Sequence, residues 1–242
     1  MITALIIKVE GQGSPYVEKL LSTIEETESE INPEILSAAT PETINQKLRE
    51  IETIDADSVN WTYPLSEQQD RLDIGSGMYL RHYRAKDQKK VIACMVSHMM
   101  AWDKVFQKNE PMIVFEHDAV VYRKITKEKL MTDLFRGGVL GLNDPRGATR
   151  KSALYHEKLS KFQGIQKVPL IDGPSDPPLP SGLAGNSAYL ITPFAAKALL
   201  DKVAEVGMWP NDALMCRQFF PWLQVTYPYF TKVQGVVSTT TT

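Results

Sequence analysis

Between residues 88 and 108, apolar positions recur at helical spacing. Val91, Cys94, Met95, His98, Ala101, Trp102 and Val105 share one face, while Lys90, Ser97, Lys104 and Lys108 lie off it. Asn109-Glu110-Pro111 should end this helix, because a proline pushes the residue before it out of the helical region. Met112-Ile113-Val114-Phe115 is then a continuous apolar run, which predicts a strand buried on both faces in a parallel sheet. Further strands are predicted at residues 3–9, 35–39, 138–142, 187–192 and 223–226. Helices are predicted from Pro15 to about Glu30, from Pro41 to Glu50 with Thr40 as cap, at 126–135, near 151–162, from Pro193 onward, and at 211–220. Residues 51–87 read as loops around Trp61, Pro64, Gly75 and Gly77. The stretch 143–186 carries Pro169, Pro174, Pro177, Pro178 and Pro180 and reads as a lid or binding loop. A polar tail at 236–242 is expected to be flexible.

Strands that alternate with helices imply an α/β protein with a mostly parallel, doubly wound sheet flanked by helices. There is no internal repeat and no linker, so residues 1–242 are read as a single domain. Composition fits a soluble globular chain: of 242 residues, 43% are hydrophobic and 23% charged. A net charge of −2 gives no broad attraction to nucleic acid or anionic membrane. Cys94 and Cys216 form no C-x-x-C pair and read as buried thiols of a reducing compartment. Met1 to Lys8 reads as a first strand, since it lacks the basic start and length of a signal peptide. No run approaches the roughly 20 apolar residues that span a bilayer. A cytoplasmic location follows as an expectation, with any membrane-linked acceptor reached peripherally from the aqueous side.

The chemistry concentrates where the apolar run stops. Ligands of open α/β sheets gather at the carboxyl ends of strands. In extended chain, residues i and i+2 point the same way, so Glu116 and Asp118 face a common space and His117 turns away. Two carboxylates on one side suit a hard cation such as Mn²⁺ or Mg²⁺, which would neutralise charge on a departing diphosphate. A solvated acidic turn is the plainer reading of the same residues. His98, on an apolar helix face, reads by itself as a core histidine.

The ordered combination says more than its parts. Ala93-Cys94-Met95-Val96-Ser97-His98, Ala101-Trp102, and Pro111 through Glu116-His117-Asp118-Ala119-Val120 resemble the family 25 glycosyltransferases. These include bacterial lipooligosaccharide galactosyltransferases and procollagen galactosyltransferase domains. Gly185 to Thr192 with the following helix, and Pro210-Asn211-Asp212, resemble later elements of the same family.

The resemblance implies a GT-A-type domain and a UDP-sugar donor. It also implies a divalent metal (Mn²⁺ or Mg²⁺) and transfer of a hexose, with inversion, to a glycan or other hydroxyl acceptor. It assigns metal and donor-phosphate binding to Glu116 and Asp118 and a donor-proximal place to Ser97 and His98. The general base is Asp212 as first choice and Asp144 as second; helix capping and turn formation are the ordinary roles of such residues. Arg146, Arg150 and Lys151 could grip phosphate or an anionic acceptor, and Tyr155 and Trp209 could stack on sugars. His117 stands where the family has its middle acid, and Ala188 where it has a glycine. A nucleotide-sugar-binding module without turnover is therefore the alternative reading. A nucleotidyltransferase or phosphohydrolase on a related sheet is a third.

Overall fold

The computed structural model describes residues 1–11, 14–59, 71–81, 85, 87–146, 152–170 and 180–235. In chain order the elements are β1 (Ile2–Lys8), α1 (Ser14–Glu26), β2 (Ile31–Ser37), α2 (Ile44–Arg49), β3 (Arg71–Asp73), β4 (Met78–Leu80), α3 (Gln88–Lys108), β5 (Met112–Glu116) and β6 (Ala119–Val121). They continue with α4 (Lys127–Leu130), β7 (Val139–Gly141), α5 (Ser152–Leu159), β8 (Gly164–Lys167), β9 (Ala188–Ile191), α6 (Pro193–Val206), α7 (Asn211–Leu214), β10 (Gln224–Tyr227) and β11 (Thr231–Val233).

Seven strands form the central sheet in the order β2-β1-β5-β9-β7-β10-β8. β1 is parallel to both β2 and β5, and β7 is parallel to β10. β9 runs against β5 and β7, and β8 runs against β10. Five strands therefore share one direction, which is the mostly parallel sheet expected. The reversal of β9 was not readable, because an apolar run signals burial on both faces and not direction.

Helices cover both faces. Ala4, Ile6, Ile113 and Phe115 pack toward α1, with Val17, Leu20 and Ile24. Leu5, Ile7, Met112 and Val114 face the other way, into a core with Met95, Trp102, Leu199 and Val203 from α3 and α6. The period-2 alternation along β1 and β5 makes this division.

Helix α3 has the predicted bounds. Asp87 caps its first turn by accepting Lys90 N–H at 3.3 Å, and Asn109 ends it in the left-handed conformation at φ 52°. Thr192 caps α6 in the same manner, with Pro193 in the first turn.

Several elements differ from expectation. β2 begins at Ile31 rather than residue 35. α2 is shorter than residues 41–50, and Thr40 does not cap it: its backbone N–H instead donates to Thr43 Oγ1 at 2.9 Å. α4 and α7 are single turns. Within 51–87 a hairpin, β3–β4, forms, and within 143–186 so do α5 and β8. Trp61, Pro64, Arg150, Lys151, Pro174, Pro177, Pro178 and the tail 236–242 lie outside the described residues.

Candidate active site

Glu116 is the last residue of β5, in register with Ile7 of β1 on one side, and its N–H donates to Ser187 O at 2.9 Å on the other. Following the alternation of Met112 and Val114, its side chain points toward α3. There it meets His98, whose Nε2 lies 3.1 Å from Glu116 Oε1. His98 Nδ1 lies 2.8 Å from Tyr189 Oη, and Trp102 Nε1 donates to the same phenol oxygen at 2.9 Å. His98 and Trp102 come from one face of α3, four residues apart, and Tyr189 comes from β9. His117 turns to the opposite face, its ring 5.9 Å from that of Tyr16 on α1. The expected divergence of Glu116 and His117 is thus present.

Three further groups look into the same space. Burial pushes the Asp118 carboxyl up, as does the Glu116 charge. Asp212 is raised too, by desolvation of its carboxyl among the crowded cleft groups and then by the Glu116 charge, against the opposing pull of His98, although the residue keeps an exposed side. Cys94 is raised well above the ordinary thiol value by burial and then by Glu116, Asp212 and Asp118. Its thiol is 3.8 Å from Asn211 Oδ1, which ties α3 to α7. Burial also pushes Glu116 up, but the His98 hydrogen bond and the charges of His98 and His117 outweigh it and hold the carboxyl below the usual glutamate range.

Yet none of these groups is sealed. The Glu116 side chain is 30% exposed, Cys94 and Asp118 are partly exposed, and Asp212 is exposed. Groups that are both wetted and crowded line a cleft. Sequence reasoning took Cys94 for a buried core thiol; it faces this cleft, whereas Cys216 is fully buried.

The edge around the cleft is polar and under-satisfied. Asp118 Oδ1, Asn143 Oδ1, Asn186 Oδ1, Ser187 Oγ and Thr231 Oγ1 are buried with no hydrogen-bond partner among the described residues. Asn143 follows β7, Asn186 and Ser187 precede the reversed β9, and Thr231 bridges Asn143. All five therefore sit along the edge where the parallel strands end. Unpaired buried polar groups are uncommon and mark places where a polar ligand or water is accommodated.

Two concavities flank this acidic cluster. One is an open depression lined by Lys8, Glu10, Gly11, Ile35 and Ser37 at the ends of β1 and β2. The other, much narrower, lies beyond β9 among Asn143, Tyr155, Gly185 and Tyr229.

The structure brings Glu116, Asp118, His98 and Asp212 together, but not Ser97 or Asp144. Ser97 is buried; its hydroxyl donates to Ala93 O at 2.8 Å and accepts Ala39 N–H at 2.9 Å, anchoring α3 to the chain beyond β2. Asp144 is held by Arg146, with Nε–Oδ1 3.0 Å and Nη2–Oδ2 2.6 Å. Burial pushes Asp144 up, but the Arg146 hydrogen bonds and charge prevail, and its carboxyl lies below the usual range. Tyr155 donates to Gly182 O, and Trp209 is buried with its Nε1 on Arg81 O at 3.3 Å, so both serve packing.

Gly182 was missed by sequence reasoning. A Cβ there would lie 2.2 Å from Asp212 O and 3.2 Å from Met215 O, so only glycine lets this segment approach α7 so closely. Tyr189 was read only as part of a strand motif. Its pairing with His98 spans 91 residues of sequence, and no local signal carries it.

The model of glycosyltransferase family 25, described as an LPS biosynthesis protein family, matches residues 18–215. The chain belongs to glycosyltransferase family 25. The match takes in α3, the end of β5 and Asp212, and the family makes the chain a glycosyltransferase. A comparison with curated proteins returns no match. Among solved structures, mouse xyloside xylosyltransferase 1 in its apo form is similar, with 10% identity and a TM-score of 0.45, covering 91% of this chain and 80% of that one. Among the described residues, no helix is long and apolar enough to cross a membrane.

Proposed function

We propose that this family 25 member transfers a hexose from a UDP-sugar to a hydroxyl of a glycan or glycoconjugate, with inversion, and that it depends on a divalent cation. What supports this reading is that Glu116, at the end of β5, lies close enough to Asp118 and to Asp212 of α7 for its charge to raise both of them.

The donor set fits such an ion. Both groups are hard carboxylates, and Asp118 Oδ1 is buried without a partner among the described residues. Asp118 is raised chiefly by burial and by Glu116, a mutual repulsion that a cation between them would relieve. Glu116 and Asp118 would hold Mn²⁺ or Mg²⁺, which when bound supplies Lewis-acid neutralisation of the leaving diphosphate.

The chain's own residues do the rest. Tyr189 and Trp102 fix His98, and His98 fixes Glu116 in its ionised form. Asp212 accepts the proton of the acceptor hydroxyl as its oxygen bonds to the anomeric carbon, on the face opposite the departing UDP; the single displacement inverts that centre. Asp212 is favoured over Asp144 because its carboxylate has no salt bridge among the described residues and its raised affinity for protons suits a base. The depression beside Lys8 and Ser37 lies at the same strand edge and is the natural seat for the nucleotide. Ser97 supports this seat from behind, through Ala39.

The deciding experiment measures UDP released from a panel of UDP-sugars with Mn²⁺, for wild type and Asp118→Ala. Turnover that depends on Mn²⁺ and is lost in the variant supports the reading. Turnover unchanged in Asp118→Ala overturns the metal assignment. UDP binding by calorimetry without any turnover would favour the nucleotide-sugar-binding module, for which His117 in place of an acid is the motivating feature.

A further inference from the structure

Cys94 and His98 lie four residues apart on one face of α3, and Glu116 projects from β5 between that face and the cleft. The sulfur, an imidazole nitrogen and a carboxylate oxygen all lie within 4.8 Å of one another. The proposed transferase chemistry uses Glu116 as a hard ligand and His98 as its support, and leaves Cys94 without a role. A sulfur–nitrogen–oxygen set is a poor match for Mn²⁺ or Mg²⁺ and a good one for a borderline ion of the zinc type.

We propose that Cys94, His98 and Glu116 form a binding site for zinc or a similar borderline divalent cation, which overlaps the hard-cation site at Glu116 and makes zinc an inhibitor of the enzyme. The binding half stands on the side chains alone; the inhibition half rests on the transferase reading.

Three features of the structure favour the site. First, helix spacing puts both α3 ligands on the same side. Second, His98 Nδ1 is already held by Tyr189, the outer contact that fixes the ring of a metal-bound histidine. Third, Cys94 and Glu116 are partly exposed, which gives an ion a way in. Ligands around tetrahedral zinc stand roughly 3.3–3.6 Å apart, from zinc–ligand lengths of about 2.0–2.3 Å. The imidazole nitrogen and the carboxylate oxygen already stand 3.1 Å apart, so it is the Cys94 sulfur that has to close, by about an ångström at most, a shift within reach of a cysteine and a glutamate rotamer at a wetted cleft.

The step is a simple exchange. The Cys94 thiol loses its proton to solvent as sulfur bonds the cation. The proton that His98 Nε2 holds against Glu116 also leaves, as nitrogen and carboxylate each bond the ion in place of their hydrogen bond. The ring then carries its one proton on Nδ1, donated to the Tyr189 oxygen. In the apo protein the neighbouring carboxylates disfavour the thiolate; the cation reverses that balance.

The test is calorimetric titration of the metal-stripped full chain with zinc, in a non-chelating buffer with a phosphine reductant. Cobalt absorption serves as a second probe, because a thiolate–cobalt bond adds a charge-transfer band in the near ultraviolet. One zinc per chain is expected. Loss of a direct ligand costs at least what loss of an outer contact does, about 10–100-fold in affinity. Cys94→Ser and Cys94→Ala should both show that loss and abolish the cobalt–sulfur band, whereas Asp118→Asn should keep zinc affinity within a few-fold.

No zinc heat in wild type, equal affinity in both Cys94 variants, or an Asp118→Asn loss as large as theirs would overturn the site. In turnover assays zinc should raise the Mn²⁺ concentration needed for half activity; inhibition that excess Mn²⁺ cannot relieve would overturn the overlap. A failure of the transferase reading is distinguishable, since it removes UDP release and leaves the zinc titration intact.

Discussion

Tyr189 places its phenol oxygen 2.8 Å from His98 Nδ1, and the same oxygen takes the Trp102 indole N–H at 2.9 Å. One hydroxyl on β9 thereby serves two buried groups of α3 and, through His98, sets the direction of Glu116. Tyr189→Phe should leave both nitrogens without a partner, at about 1–3 kcal/mol for each group orphaned. Thermal denaturation should register the loss. Mn²⁺ affinity should fall in the same variant, about 10–100-fold if His98 is a positioning residue for a metal ligand. A variant that melts earlier but binds Mn²⁺ as wild type does would limit Tyr189 to packing.

Gly182→Ala should act on catalysis from outside the cleft. Its new methyl would meet Asp212 O and Met215 O, both backbone atoms that cannot swing aside. Overpacking of this sort costs about 1–3 kcal/mol, and α7 would have to shift with Asp212 on it. Loss of turnover with UDP binding retained is the expected split, and an unchanged rate would show that Asp212 tolerates displacement.

The two candidate bases should separate cleanly. Asp212→Asn is expected to lower turnover by roughly 10²–10⁴-fold, the usual worth of a general base. Asp144→Asn should change it by a few-fold at most, since Arg146 already occupies both carboxylate oxygens of Asp144. Single-turnover rates at saturating donor would decide, and the reverse ranking would move the base to β7.

Stability should depend on pH with opposite signs at neighbouring carboxylates. Asp212 has its native value raised above 3.8, so the folded chain binds this proton more tightly than the unfolded chain does. Its favourable contribution is present at acid pH and fades as pH climbs through the raised value. Metal-free Asp212→Asn should therefore melt higher than wild type at neutral pH, with the gap closing below 3.8. Glu116 is held below 4.5, so its contribution is present at neutral pH and fades as pH falls through the depressed value. Glu116→Gln should melt lower at neutral pH. Melting curves across the acid range check both signs.

Helix α3 and strand β5 were legible because each carries a long, unbroken pattern: 21 residues of helical stripe closed by Asn109, then an apolar run. Strands β3, β4, β6 and β11 have three residues each, too few for any period to emerge. The direction of Glu116 could be read at the strand end because a strand's side chains alternate, whereas Asp118 stands in the turn between β5 and β6, where that alternation has stopped. Gly182, Tyr189 and the cleft-facing Cys94 could not, because their importance comes from partners brought close only by the sheet. Asp144 looked like an available acid until Arg146, two residues on, was seen folded back onto it.

The opposed directions of Glu116 and His117 bear on any attempt to rebuild a three-acid strand end. An aspartate at 117 would stand on the far side of the sheet wall, beside Tyr16, and could not reach the ion as a ligand. Its influence would travel only as a field. The imidazole whose electrostatic effect lowers both cleft carboxylates would be exchanged for an acid, so the substitution would make its neighbours hold their protons more tightly.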